Sequence, residues 1–227
     1  MSHYEILSLP GLSPFSEVHD RMKVLLQDRI EDRIPDTVIF CEHRPVITRG
    51  RGLQLREDRA ERSKPLLMIP EQTDYVEIER GGDLTWHGPG QLVIYPVVKL
   101  GGDGAIGKKI GQDVDAYVRF LENWWVLALR RFGVETATRP GGSGVWRQGR
   151  KLASVGIAIR RWVTYHGSAM NVVNPLAPFR AFSPCGFDSE VMARLSDQPE
   201  IPKDMFQADW RPRWEAFLQE ILREMTV

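Results

Sequence analysis

The sequence predicts an α+β domain in which helices flank a mixed β-sheet. Three helix-periodic segments stand near the start, in the middle and at the end of the 227-residue chain. Short strand-like runs bounded by glycine and proline fill the spaces between them. Helices and strands mixed in this way are typical of the α+β class. We therefore expect one domain over residues 1–227, with no internal repeat.

The first helix is predicted over residues 14–33, because its apolar positions recur every three or four residues. Ser13 is its candidate N-cap, and Pro35 lies beyond its end. Four runs that follow are rich in β-branched and aromatic residues, which favour strands. They are residues 37–41, 46–48, 75–79 and 92–98.

The second helix is predicted to be continuous over residues 106–132 and to stop at Gly133, since glycine commonly follows a helix. GVWRQ and KLASVGIAIR then predict a hairpin around Gly149 and Arg150, and WVTYHGSAMNVV predicts a further strand. The third helix is predicted over residues 210–225. Residues 188–204 are polar with several prolines and are interpreted as a connection.

Charge and hydropathy exclude several classes of protein. Thirty basic and thirty acidic residues balance, so nothing marks the chain as a nucleic-acid binder. It has no run of about 18 apolar residues, which a membrane-spanning helix requires. Its first residues do not resemble a secretory or organelle-targeting segment. We expect a cytoplasmic protein with neither a nucleic acid nor a membrane as partner.

The two cysteines, Cys41 and Cys185, form neither a disulfide framework nor a CxxC metal motif. Cys41 lies in the apolar run TVIFCE, where a cysteine behaves as a small buried hydrophobe. Cys185 stands between Pro184 and Gly186. Such a constrained turn would present the sulfur at a fixed place, as a nucleophile requires.

Three glycine-bearing segments surround the predicted sheet: residues 80–96, residues 139–146 and the strands after them. Glycine lets a ligand approach the main chain closely, so the segments predict a backbone-lined groove. Without a phosphate-loop pattern they are equally compatible with tight turns. His87 and His166 are candidate bases, although each could simply fix a loop.

Lys151 opens the apolar run KLASVGIAIR. Most lysines are solvated surface charges, and this one could be no more than that. A partly desolvated lysine beside a thiol would instead favour the thiolate and would lose its own proton more readily.

Four segments taken together resemble the octanoyltransferase, or lipoyl(octanoyl) transferase, family. They are EHRPVITRG, RGGDLTWHGPGQLVIYP, KLASVGIAIRRWVTYHGSAMNV and SPCGF, in the family's order over about residues 41–187. The resemblance implies a fold similar to the catalytic domain of biotin and lipoate protein ligases. It also implies the first step of lipoate cofactor assembly, the transfer of octanoyl from octanoyl-acyl carrier protein to a lysine of a lipoyl domain.

The resemblance further implies partners and site residues. The acceptors would be lipoyl domains of 2-oxoacid dehydrogenase complexes and the glycine-cleavage H protein, with no cofactor and no metal. Cys185 and Lys151 occupy the positions of the catalytic dyad. The implied acyl-binding residues are Arg80, Gly81, Gly82, Asp83, Leu84, Thr85, Trp86, His87, Ser154, Val155, Gly156, Gly167, Ser168 and Ala169. Trp86 stands where many relatives have tyrosine, which bears on acyl-chain length.

Three other functions remain open on the residues. An ATP-dependent lipoate or biotin protein ligase would share the implied fold but needs no cysteine nucleophile. A transferase that moves octanoyl between two lipoyl domains would differ only in its donor. A non-catalytic module that binds acyl carrier or lipoyl domains would not need both Cys185 and Lys151.

Overall fold

The computed structural model describes residues 4–52, 71–139, 141–182 and 191–227. Its strands are β1 (Tyr4–Ser13), β2 (Asp36–His43), β3 (Val46–Arg49), β4 (Asp74–Glu77), β5 (Leu84–His87), β6 (Gln91–Val97), β7 (Gly144–Arg147), β8 (Arg150–Arg160) and β9 (Val163–Asn171). Its α-helices are α1 (Phe15–Ile30), α2 (Ala105–Ile110), α3 (Val114–Arg130) and α4 (Trp210–Thr226). Short 3-10 helices cover Ala177–Ala181, Leu195–Asp197 and Lys203–Phe206.

The strands form two mixed sheets, which confirms the predicted fold class. The larger has the order β1-β2-β6-β9-β8-β7, with β1 parallel to β2 and the other neighbours antiparallel. The smaller has the order β4-β3-β5, with β4 parallel and β5 antiparallel to β3. Helices pack against the larger sheet on both faces.

Strands β1 and β5 were absent from the sequence prediction. The run YEILSLPGLS contains Pro10 and Gly11, which weaken a strand signal, but β1 lies at a sheet edge, where proline is tolerated. Its register shifts between Ser8 and Leu12, around these two residues. Strand β5 lies within the glycine-rich segment, whose composition predicts turns.

The predicted cap of the first helix was wrong. Pro14 occupies the N-cap position, and Ser13 is the last residue of β1. The Ser13 carbonyl accepts hydrogen bonds from Arg44 N, at 3.0 Å, and from His43 Nδ1, at 3.3 Å. Because Ser13 is part of β1 and its carbonyl is hydrogen-bonded to His43 and Arg44 at the end of β2, Ser13 does not cap the helix.

The predicted continuous middle helix was also wrong, because a break divides it into α2 and α3. Gly111 follows α2 with φ of 73°, a left-handed conformation that glycine adopts without strain. Asp113 then caps α3, since its side chain accepts a hydrogen bond from Ala116 N at 2.8 Å. The predicted stop is confirmed: α3 ends at Arg130 and Gly133 has φ of 73°.

The predicted hairpin and the strand after it are confirmed as β7, β8 and β9. Gln148 and Gly149 form the β7–β8 turn with φ of 48° and 78°. Two positive values suit the right-handed twist of a two-residue hairpin. Strands β8 and β9 then pair over eight successive residues, from Ala153 to Arg160 on β8.

Two apolar cores lie on opposite faces of the larger sheet. Helices α3 and α4 cover one face through Trp124, Trp125 and Trp214, which are almost fully buried. Helix α1 covers the other through Met22 and Leu26. Within the described ranges, no helix combines the length and apolar character that crossing a membrane demands.

Candidate functional site

A cavity opens beside the sheet face that α1 covers. The space between its walls is about 470 Å³ when open solvent at the mouth is included, and about 40 Å³ of it is wide enough for the centre of a water molecule. The described residues that line it are Ile78, Arg80, Gly81, Gly82, Thr85, His87, Val93, Tyr95, Ser154, Val155, Gly156, His166, Gly167, Ser168 and Ala169. We call it the glycine cavity. Most of the acyl-binding residues implied by the sequence converge here from three separate segments.

The three remaining implied residues, Asp83, Leu84 and Trp86, do not line this cavity; Asp83 lies in the second cavity described below. Strand β5 alternates, so Thr85 and His87 line the glycine cavity while Leu84 and Trp86 point into a separate apolar cluster. The Trp86 ring packs edge-on against Phe179, with centroids 5.7 Å apart. Trp86 is therefore not among the described residues that line the glycine cavity.

Glycine is required where backbones meet along the glycine cavity. A Cβ on Gly167 would lie 2.2 Å from the Ile94 carbonyl oxygen on the neighbouring strand. A Cβ on Gly156 would lie 3.2 Å from the Gly81 oxygen. The two segments are held this close by the hydrogen bond that Gly81 N donates to Ile157 O of β8. The glycine segment thus rests directly on the sheet, as the predicted backbone-lined groove requires.

Arg80 anchors this segment to the smaller sheet. Its Nη2 donates to the Thr48 carbonyl and hydroxyl oxygens at 2.7 and 2.8 Å, and its Nη1 donates to Gly81 O at 2.9 Å. The guanidinium is buried, so these charge-assisted hydrogen bonds are shielded from water. Gly82 follows with φ of 78°, which turns the chain tightly at the cavity.

A second cavity contains Lys151 and Asp83. It shares Gly81, Gly82, Val155 and Gly156 with the glycine cavity, so the two spaces adjoin. Lys151 is buried to 3% exposure, and its Nζ lies 5.4 Å from the centroid of the Trp146 ring. The ammonium is therefore a desolvated group within a cavity rather than a solvated surface charge.

Glu122 on α3 is a neighbour of Lys151 that the sequence analysis missed. Its carboxylate accepts a hydrogen bond from Gly144 N at 2.7 Å. Burial raises the pKa of Glu122, while the Gly144 N–H and the Lys151 ammonium oppose that shift. A Cβ on Gly144 would lie 2.8 Å from Lys151 Cε, so glycine leaves room for the lysine. The sequence signal that could have identified Glu122 is a single acidic residue within the apolar run FLENWW.

Cys185 lies outside the described residues, but both flanks of its segment are described. Before it, Phe182 is buried and packs against Phe179. After it, Met192 pairs with Lys151, and Ala193 N donates to the Lys151 carbonyl at 2.9 Å. The chain that follows the predicted nucleophile is therefore hydrogen-bonded to the backbone of the predicted lysine.

His87 presents one nitrogen as an acceptor. The Gln91 amide nitrogen donates to Asn171 Oδ1 at 3.0 Å, so Gln91 Oε1 accepts from His87 Nδ1 at 2.7 Å. The remaining nitrogen, Nε2, then carries a lone pair. Burial lowers the pKa of His87 to about 3, which keeps its imidazole neutral near pH 7.

His166 has an unusual backbone, with φ of 59° in the middle of β9. The side chains of Thr164 and Ser168 point to the α3 face. Thr164 Oγ1 donates to Pro96 O, and Ser168 Oγ accepts from Trp125 Nε1. The His166 ring instead contacts His19 and lies edge-on to Tyr95, on the α1 face. Positive φ at a non-glycine residue costs free energy and often marks a functional site.

Cys41 is fully buried, as predicted. Its sulfur lies 3.5 Å from His43 Nε2, and the same nitrogen lies 3.0 Å from the Tyr95 hydroxyl. Burial raises the pKa of the Cys41 thiol well above its usual range, so it is a poor source of thiolate.

Comparison with known proteins decides the family. Residues 15–215 match the lipoyl protein ligase A/B catalytic domain. An octanoyltransferase from Geobacter metallireducens is 45% identical over 162 residues, covering 71% of this chain and 68% of that protein. One from Syntrophotalea carbinolica is 36% identical over 201 residues, covering 88% and 87%. The chain belongs to the octanoyltransferase family. It is an acyltransferase, and its chemistry is lipoate-related acyl transfer.

A solved structure agrees with this membership at the level of the fold. The bi-partite lipoate protein ligase from Thermoplasma acidophilum aligns with 98% of this chain and 84% of its own, with a TM-score of 0.62. Sequence identity is 18%. The predicted fold, that of the lipoate ligase catalytic domain, is confirmed. This octanoyltransferase family member shares its scaffold with a ligase, so the reaction has to be argued from the side chains.

Proposed function

We propose that the chain transfers octanoyl from octanoyl-acyl carrier protein to a lysine of lipoyl domains, through a thioester on Cys185. Family membership supports the octanoyl group, since the matched relatives are named octanoyltransferases. The observation that carries the proposal is the junction of two cavities. The glycine cavity would hold the acyl chain, and the adjoining space contains Lys151.

The glycine cavity suits an acyl chain by its lining. Val93, Ala169 and the glycine backbones supply surface that an alkyl chain can contact without losing hydrogen bonds. The buried His87 and His166 are kept neutral by lowered pKa values of about 3 and 4. Their rings therefore add no charge to the space that the chain would occupy.

Lys151 supports a cysteine mechanism by its position and burial. Its backbone bonds to the residues that follow Cys185, and its ammonium lies within a buried cavity. A cation within about 4–6 Å of a thiol favours the thiolate. Trp146 and Glu122 border the same lysine and limit where its ammonium can sit.

The reaction would proceed in two balanced steps. The Cys185 thiolate attacks the thioester carbonyl, the bond to the carrier sulfur breaks, and the released carrier thiolate takes a proton from the Lys151 ammonium, which leaves Lys151 as a neutral amine. The amine of the acceptor lysine then attacks the Cys185 thioester and forms an amide. Its surplus proton passes to Lys151 or to solvent, and Cys185 leaves as the thiolate.

The acceptors would be lipoyl domains of 2-oxoacid dehydrogenase complexes and the glycine-cleavage H protein. Cytoplasmic location and the absence of a cofactor belong to the same proposal. The two cavities share Gly81, Gly82, Val155 and Gly156, so an acyl chain in the glycine cavity would lie next to the space that contains Lys151.

The test is a transfer assay with three alternative donors. Purified protein and an apo lipoyl domain are mixed with octanoyl-acyl carrier protein, with free octanoate and ATP, or with a second lipoyl domain that is already octanoylated. We expect octanoylation of the acceptor with the carrier thioester alone. Transfer only with octanoate and ATP would show a ligase, and transfer only from an octanoylated lipoyl domain would show a relay enzyme. No transfer from any donor would indicate a binding module.

A further inference from the structure

Three side chains to which the proposed reaction assigns no bond-making or proton-transfer step meet on the α1 face. His19 on α1, Glu79 after β4 and His166 on β9 each direct one ligand atom toward the others, and these atoms lie within 4.8 Å of one another. His19 Nε2 is 3.1 Å and His166 Nε2 is 3.8 Å from Glu79 Oε2. Three elements distant in sequence thus converge on one point.

His166 Nε2 is unsatisfied within this cluster. The residue is 1% exposed, and among the described residues this nitrogen has no hydrogen-bond partner, since Glu79 Oε2 at 3.8 Å lies beyond bonding distance. A buried polar atom without a partner costs free energy, so it needs a physical reason. His166 also adopts the unfavourable positive φ that brings its ring to this face rather than to the α3 face.

We propose that His19, Glu79 and His166 form a binding site for one divalent transition-metal ion of the zinc class. Two imidazoles and one carboxylate, with a fourth position open to solvent, form a common zinc ligand set. Ligand bonds of about 2.0–2.2 Å in a tetrahedron place donor atoms roughly 3.3–3.5 Å apart. The observed 3.1 and 3.8 Å separations bracket that value.

Access and charge agree with a reversible site. The Glu79 side chain is 29% exposed, which provides a route from solvent, whereas His19 and His166 are buried. The two carboxylate oxygens face different partners, since Oε2 faces the imidazoles and Oε1 lies 3.8 Å from Lys23 Nζ. The Lys23 ammonium would repel a metal ion, so it should weaken the site without blocking it.

A bound ion would join α1 and β9 to the residue immediately before Arg80. Its bond to Glu79 would therefore hold the start of the glycine segment in place, whether or not substrate is bound. The proposal does not depend on the octanoyl reaction, and its test uses metal binding and thermal stability.

The experiment titrates the full-length protein, stripped with a chelator, with Co²⁺ and Zn²⁺. We expect one ion per chain, visible absorption from nitrogen- and oxygen-bound Co²⁺, and a rise in melting temperature with Zn²⁺. His19→Gln and Glu79→Gln should each weaken binding roughly tenfold or more, because even outer-sphere partners are worth about 10–100-fold. Lys23→Met should tighten it.

Glu77→Gln is the matched control, because it removes an equal charge two residues from Glu79 on an exposed side chain that pairs with Arg49. It should bind like the wild type. His166→Asn tests the third ligand with a residue that tolerates positive φ. A Cys185→Ala background excludes thiol ligation. Equal affinity in all variants, loss of binding only in Cys185→Ala, or no saturable binding would overturn the proposal.

Discussion

The two faces of the larger sheet are built for different purposes. On the α3 and α4 face, large apolar side chains form a packed core, and a tryptophan nitrogen within it is hydrogen-bonded: Trp124 Nε1 donates to Leu218 O at 2.8 Å. On the α1 face, imidazoles, Tyr95 and glycine backbones leave a cavity. The packed core supplies stability, whereas the α1 face and the adjoining cavity of Lys151, which Val118 of α3 also lines, keep the desolvated groups that chemistry can use.

Strand alternation makes this division possible. Successive residues of β6 point to opposite faces, so Leu92 and Ile94 enter the first core while Val93 and Tyr95 reach the second. His166 departs from the rule through its positive φ. This exception adds an imidazole to the cavity face. The positive φ costs conformational free energy, which the packing of the opposite face can offset.

The largest effect is expected at the junction of the cavities. Lys151→Met should reduce octanoyl transfer about 10²–10⁴-fold, the usual contribution of a positioned proton-transfer group. It should also slow alkylation of Cys185 at neutral pH, because the thiol pKa would return toward about 8.5. A pH profile of iodoacetamide alkylation, measured beside single-turnover transfer, checks both.

Lys151→Arg separates the two roles of the lysine. Arginine keeps the charge but does not give up its proton, so thiolate formation should persist while transfer to the acceptor fails. An unchanged alkylation profile in Lys151→Met would remove the lysine from activation. His87 or His166 would then become the leading candidate for the base.

The next effect is expected in the glycine segment. Gly82→Val places a β-branched residue at φ of 78°, beside the cavity, so acylation should fall sharply while the protein stays folded. Gly133→Val is the matched control, because Gly133 has a similar φ of 73°, no described atom lies within 4 Å of its added Cβ, and it lines neither cavity. Full acylation of a well-folded Gly82→Val protein would place the acyl chain elsewhere.

The packed core beneath α3 and α4 should respond in stability alone. Leu121→Ala removes a fully buried side chain of α3 and should lower the free energy of unfolding by about 2–5 kcal/mol. Turnover per folded molecule should hold near the wild-type value. Chemical denaturation and an activity assay on the soluble fraction make the comparison. A loss of turnover as large as that of Gly82→Val would contradict the division between the faces.

A smaller effect is expected from pH on the α1 face. Burial lowers the pKa of His43 and His166 to about 4 and that of His87 to about 3, whereas unfolded histidine titrates near 6.5. The folded state therefore binds fewer protons, and the free energy of unfolding falls as pH drops below about 6.5. Melting temperatures between pH 7.5 and 5 should show the decline, and His43→Gln should make it shallower. A flat profile would refute this account.

Sequence reasoning located the glycine cavity because glycine density and the family motifs are local signals. The residues of β8 and β9 were predicted as paired strands, and their register brings Gly156 opposite Gly167. The resemblance implied Trp86 as an acyl-binding residue, but the alternation of β5 turns its ring away from the cavity and against Phe179. A strand of four residues inside a glycine-rich segment carries too little periodicity to predict.

Long-range contacts could not be predicted. Glu122 meets Gly144 and approaches Lys151 only because α3 crosses the β7–β8 hairpin. His19, Glu79 and His166 come from positions separated by 60 and 87 residues, and no motif links them. The α2–α3 break at Gly111 was missed because the apolar spacing continues across it. The reaction of Cys185, which lies outside the described residues, remains a prediction.

The central claim is that Cys185 carries the acyl group, and intact-protein mass spectrometry tests it most directly. The wild type, Cys185→Ala and Cys41→Ala are each mixed with octanoyl-acyl carrier protein without an acceptor. We expect the mass of one octanoyl group, labile to hydroxylamine, on the wild type and on Cys41→Ala, since the buried Cys41 forms thiolate poorly. Cys185→Ala should stay unmodified. Acylation of Cys185→Ala, or loss of the adduct only in Cys41→Ala, would contradict the account.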